Sequence, residues 1–149
     1  MITNVDTLTI FNHRMNKTER RNGFIPTVIR GVSYVEAKGA IVASDGVWGD
    51  NVNYKIRIPL IAAIQDGRTY LPELEYAKLT DEEAIQHWTI SKTDLIIRGE
   101  YDGESSNLFE DTLNTWAKEN AHDLIRITED ADDTHGGSLY MRHFRIGGQ

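Results

Sequence analysis

A chain of 149 residues with 40% hydrophobic and 26% charged residues is the size of one ordinary globular domain, residues 1–149, and is too apolar to stay disordered. It has no cysteine, which excludes thiol catalysis, disulfides and cysteine-ligated metals, and its net charge of −7 argues against broad phosphate binding. No window approaches the ~20 apolar residues of a membrane span, and the start at Met1 lacks the basic and apolar blocks of a signal peptide, so the expectation is a soluble cytoplasmic product.

Thr7 to Phe11 is rich in β-branched and aromatic residues and predicts a first strand. The polar stretch from Asn12 to Asn22 predicts a turn or the exposed tip of a hairpin. Phe24 to Ala37 carries Ile25, Val28, Ile29, Val32, Tyr34 and Val35, and predicts one long strand or two separated by a bend at Gly31. Pro26, which cannot donate to a ladder, marks a strand end or an edge. Gly39 to Val47 predicts a short apolar strand ended by the loop DGVWGDN. Asn53 to Ile58 then alternates, with Tyr54, Ile56 and Ile58 on one face and Asn53, Lys55 and Arg57 on the other; Pro59 stops it.

The middle changes character. Thr80 and Glu83 have the spacing of a capping box, and one or two short helices are expected between Pro72 and Gln86. Trp88 to Ile90 and Asp94 to Arg98 predict strands joined by a polar turn. Asn107 to Ala121 predicts the clearest helix, with Phe109, Leu113, Trp116 and Ala117 on one face and cap spacing between Asn107 and Glu110. Leu124 to Ile127 and Leu139 to Ile146 predict the last two strands, joined by the loop EDADDTHGG. The expected fold is α+β and β-rich: a small β-barrel or sandwich with a helical insertion and one amphipathic helix, its core held by Tyr54, Ile56, Ile58, Trp88 and Trp116.

Chemical motifs are sparse. Glu129, Asp130, Asp132, Asp133 and His135 form the best cluster for a hard cation, but the EF-hand pattern fails, with His135 where glycine is required and Met141 where the bidentate glutamate belongs. A solvated acidic turn is the expectation, and no metal or other cofactor is assigned. A metal-dependent hydrolase using Asp130, Asp132 and His135 is the alternative from another class. The histidines at 13, 87, 122, 135 and 143 form no zinc-site pair, no serine sits in a Gly-x-Ser-x-Gly elbow, and the glycines match no phosphate-binding loop. No catalytic residue is assigned. The basic residues Arg14, Lys17, Arg20 and Arg21, with Arg142 and Arg145 far along the chain, make no argued groove for a nucleic acid.

Charge is uneven along the chain. Residues 1–60 carry eight Lys/Arg against five Asp/Glu, whereas residues 100–133 carry two against eleven. The closing run SLYMRHFRIGGQ holds two arginines and no carboxylate. Tyr140, Phe144 and Ile146 share one strand parity with Arg142, and Leu139, Met141, His143 and Arg145 share the other. A strand with one buried side shows cleaner alternation. Two readings follow: an edge strand whose arginines pair with acids of the same copy, or a strand covered partly by its own core and partly by another chain. Under the second reading Tyr140, Arg142, His143 and Arg145 are the candidate protein-interface residues.

Several segments in order carry a resemblance: TIFN at Thr9–Asn12, TVIRGV at Thr27–Val32, KIRIP at Lys55–Pro59, WTISKTDLIIRG at Trp88–Gly99 and LIRITEDADDTHGGSLYMRHFRIGG at Leu124–Gly148. Together they resemble a family of small proteins encoded in the structural-gene clusters of tailed bacteriophages and prophages of Gram-positive bacteria. A looser similarity is to head-closure (stopper) proteins of long-tailed phages, small β-barrels with a YKIRI-like strand and a D-x-I-x-x-G strand. The helices expected at 72–86 and 107–121 depart from the simplest such barrel. The resemblance implies a non-enzymatic virion structural protein at the head–tail junction, with a tail component such as a terminator or tube-associated protein as the alternative. It implies other head–tail or tail proteins as partners, a homo-oligomeric ring, and a path from host cytoplasm to virion, with no sequence-specific nucleic-acid binding. In such a ring, copies meet head to tail, and a basic terminal strand against acids between Glu100 and Asp133 is the expected contact.

Overall fold

The computed structural model describes residues 6–16, 20–42, 48–59, 63–64, 67–103, 108–133 and 143–148. The strands are β1 (Asp6–Asn16), β2 (Arg21–Val42), β3 (Trp48–Pro59), β4 (Ala63–Ile64), β5 (Thr69–Tyr70), β6 (His87–Trp88), β7 (Leu95–Arg98), β8 (Leu108–Phe109), β9 (Ile125–Asp133) and β10 (His143–Gly148). The helices are α1 (Glu73–Ala77), α2 (Asp81–Ala84) and α3 (Glu110–Glu119). The fold is β-rich α+β.

One antiparallel sheet dominates. Its order is β1-β7-β9-β10-β3-β2-β4, and β1 also pairs with β2, so the succession of pairings returns to the strand it began from. β5 and β6 form a separate two-stranded parallel ladder. The sheet curls because β2 serves two neighbours in turn. Through Val32 it pairs with β1, and from Ser33 onward with β3. The change falls at Gly31, whose φ of +85 is costly for any residue with a Cβ. Of the two alternatives from sequence, one long strand bent at glycine is the one realised.

Two clusters form the core. Leu8, Ile10, Ile29, Val32, Ile56, Ile58, Ile96, Ile125, Ile127, Phe144 and Ile146 fill the inside of the curl, together with Trp88 and Ile90. The rings of Tyr70, Trp88 and Phe144 meet there, with centroids 4.4 to 5.9 Å apart. On the opposite face of β1 and β7, Phe11, Leu95 and Ile97 pack against Leu108 and Leu113, with Trp116 at the margin. These two strands are therefore buried on both faces, which is why TLTIF and LIIR read as continuous apolar runs. Tyr54, Ile56, Ile58 and Trp88 join the first cluster and Trp116 the second, as expected.

Element boundaries differ from expectation in several places, among them the strand expected over Trp88 to Ile90, which is His87–Trp88. The ladder of β1 and β2 continues to Asn16↔Arg21, so most of the polar stretch 12–22 is strand, with residues 17–19 outside the described residues. Gly39 to Val42 closes β2, and Trp48 to Asp50 opens β3, which shortens the loop expected there. The helix begins at Glu110 with Phe109 at the N-cap position and no side-chain cap, because Leu108 and Phe109 are held extended against Phe24 and Gly23; Asn107 lies outside the described residues. β9 runs on to Asp133, because the acidic stretch from Glu129 pairs with β10. Cross-strand pairing outweighs the poor strand propensity of aspartate there. Pro26 sits inside β2, in a gap between the short partners β4 and β8, where Arg68 Nη1 donates to its carbonyl at 2.7 Å.

Candidate interaction surfaces

β10 is not an edge strand. It lies between β9 and β3, with Arg145 opposite Ala131 on one side and Arg57 on the other. Phe144 and Ile146 are buried, with Arg145 exposed between them. Arg57 in turn faces Ser33 of β2, and Val35 faces Lys55. Directly paired residues of antiparallel strands share a face. Ser33, Arg57 and Arg145 thus form one row across the outer wall, and Val35 and Lys55 the next. Val35 is 54% exposed. These residues, with Asp130 of β9, line an open groove of about 350 Å³.

Of the residues singled out from sequence, Arg145 stands on this wall. His143 is placed on β10 opposite Pro59 and Asp133 by the backbone register. Tyr140 and Arg142 lie outside the described residues. Lys55, Arg57 and Val35 were not singled out, although the alternation of NYKIRI already put Lys55 and Arg57 outward. What sequence does not give is the register that brings Arg57 beside Arg145.

A second surface has opposite charge. Glu73 and Glu75 lie on α1, and Asp81, Glu82 and Glu83 on α2, with no basic residue in the last turn of either helix. Leu74 is 78% and Ile85 50% exposed among them. Tyr76 and Ala84 are buried and anchor the two helices. The expected capping box is present, Thr80 Oγ1 accepting from Glu83 N at 3.2 Å. Arg14 of β1 fastens the segment, donating to Asp81 Oδ1 at 2.7 Å and to the carbonyls of Tyr76 and Leu79.

Two members of the basic cluster read near the first turn, Arg14 and Arg21, are therefore engaged within the chain, and Lys17 lies outside the described residues. Arg14 serves the helices, while Arg21 donates to Asp111 at 2.9 Å and lies 4.2 Å from the Phe109 ring centroid. The Arg21 hydrogen bond holds the Asp111 carboxyl below its ordinary range. Acids of the segment 100–133 are engaged likewise: Glu100 with Arg30 and Glu110 with Arg126.

Asp94 is a buried ionisable group in a perturbed setting. It is 1% exposed and accepts from Asn12 Nδ2 and the His13 N–H at 2.8 Å each, and from the Ser91 N–H at 2.9 Å. Burial pushes its carboxyl from 3.8 to about 6, against the pull of those donors. Asn12 also bridges both backbone groups of Thr89. The group thus ties the 88–94 segment to β1 at the centre of the fold.

Among the described residues no three His, Cys, Asp or Glu side chains gather to hold a metal. Asp130 is exposed on the groove, the backbone places Asp132 and Asp133 on β9, and His135 lies outside the described residues. No helix among the described residues is long and apolar enough to cross a membrane.

Over residues 2–149 the chain matches, and belongs to, a family of unknown function, DUF6751. No curated protein and no solved structure matches it.

Proposed function

We propose that this member of the DUF6751 family is a non-enzymatic structural component of a tailed-phage particle, assembling as a ring at the head–tail junction and joining other head–tail or tail proteins. The observation that carries the reading is a two-stranded ribbon. β10 pairs with β3 only from Tyr54 to Pro59, and β1 leaves β2 at Val32. From Ala37↔Asn53 outward to Val42↔Trp48, β2 and β3 have only each other among the described strands. An isolated two-stranded ribbon is marginal in water, and its open edges invite pairing with another chain. Its sequence, with Ala40, Ile41, Val42 and Trp48, is that of a segment made to be covered. Together with the ordered segments that resemble phage structural-cluster proteins, this favours a component that becomes complete only in an assembly.

The test is deletion of the gene from an inducible lysogen, followed by electron microscopy of the lysate. The reading expects filled heads and finished tails that do not join, restored by the gene in trans. A lysate of intact, infectious particles would overturn it. Heads lacking tails of normal length would move the chain to the tail proper.

A further inference from the structure

We infer that β2 pairs with β2 of a second copy, antiparallel about a two-fold axis at Ala37, so that two ribbons join into one four-stranded sheet. The inference concerns the chain in solution and stands apart from the proposed place in a particle. Beyond Val32, where β1 ends, β2 has β3 along one edge and no strand among the described residues along the other. A row of backbone N–H and C=O groups is thereby left for another chain. β3 has a like edge from Trp48 to Asn53, past its last rung with β10 at Tyr54.

These edges can meet in three ways, and size and charge choose between them. If β2 of one copy pairs antiparallel with β3 of the next, both ribbons point the same way. The two bodies then stand side by side, two strand spacings or about 10 Å apart. A chain of this length folds to a radius of gyration of roughly 15 Å, so such bodies overlap unless the ribbons splay and lose their rungs. A like-with-like antiparallel pairing avoids that conflict, because it puts the two bodies at opposite ends of the shared sheet. Charge then separates β2 from β3. About Ala37, Glu36 of each copy stands opposite Lys38 of the other, and Val35, 54% exposed, stands opposite Gly39. Two opposite-charge rungs related by the axis fix the register. The β3 edge reads WGDNVN, with Asp50 its sole charge, and has no such self-complement. The contact is therefore isologous, the same edge of β2 on both copies.

The chain has no native cysteine, so single introduced thiols report the contact. Ala37→Cys in the full chain lies on the axis and should form a disulfide with its own kind under mild oxidation. Asn53→Cys should not, because the two β3 strands lie three strand spacings apart, about 14 Å. Sedimentation of the native chain should show a dimer, and Glu36→Lys or Lys38→Glu alone should weaken it about tenfold. Both substitutions together exchange the two charges and should restore the dimer, which a merely damaged ribbon could not do. A native chain that stays monomeric, a dimer that Ala37→Cys does not crosslink, or charge variants that leave the affinity unchanged overturns the inference. So does a mixture of Ala37→Cys and Asn53→Cys that crosslinks in preference to Ala37→Cys alone, which is the head-to-tail result.

Discussion

Replacing Asp94 with alanine sets two opposed contributions against each other. The carboxylate accepts three hydrogen bonds, from Asn12 Nδ2 and from the backbone N–H groups of His13 and Ser91. Asn12 keeps the Thr89 carbonyl, so alanine leaves two backbone donors, one buried and one partly buried, without a partner, at about 1–3 kcal/mol each. At neutral pH the loss is therefore about 2–6 kcal/mol. Burial acts the other way. It raises the carboxyl from 3.8 to about 6, so the folded state binds a proton that the unfolded state has released. This contribution to stability is fully present below pH 3.8 and is lost as pH rises through about 6. The alanine variant lacks that dependence, so the gap between the proteins should widen on acidification, by about 1 kcal/mol between pH 7.5 and pH 5. Urea unfolding of both proteins at the two pH values measures the gap, and other carboxylates cancel in the difference. A gap that narrows on acidification would refute the reasoning, because it would mean that the three donors outweigh burial.

Three further substitutions probe the frame. Tyr76→Phe removes a buried hydroxyl that has no hydrogen-bond partner among the described residues and whose pKa burial pushes up to about 12; thermal unfolding should show no loss or a gain of about 1 kcal/mol, and a clear loss would reveal a partner. Gly148→Ala places a Cβ 2.6 Å from Ile125 Cγ2 and 3.0 Å from the Arg126 carbonyl oxygen, so denaturant unfolding should show a cost of about 1–3 kcal/mol, and no cost would mean that β9 yields freely. Arg14→Ala removes the fastening of the helical segment; hydrogen exchange should quicken across residues 73–85 and little elsewhere, whereas uniform quickening would make Arg14 a general core residue.

Local patterns carried much of the fold. The alternation of NYKIRI, the capping box at Thr80 and Glu83, and the amphipathic face of Leu113 and Ala117 each report a side chain's own surroundings, and each is realised. Pairing is not local. Nothing near Arg145 in sequence announces Arg57 opposite it, and nothing near Phe109 announces the rung with Gly23 that delays α3. The acidic stretch from Glu129 looked like a loop because propensity was the only guide, whereas a neighbouring strand decides the matter.

Segments that carry the resemblance turn out to hold packing positions. In KIRIP, Ile56 and Ile58 face the core, and Asp94 heads the run ending at Gly99, whose φ is +112. Gly148 closes RIGG where the ladder with β9 shifts register. Such residues mark a fold more firmly than a role. The surface that the interface residues were meant to mark is legible only in part, since Tyr140 and Arg142 lie outside the described residues while Arg145 stands on a charged wall.

The most direct measurement is quantitative mass spectrometry of particles purified after prophage induction. The account predicts this chain at a fixed, low copy number per particle that survives repeated density-gradient banding. Its presence in the lysate but not in banded particles would contradict a structural place in the virion.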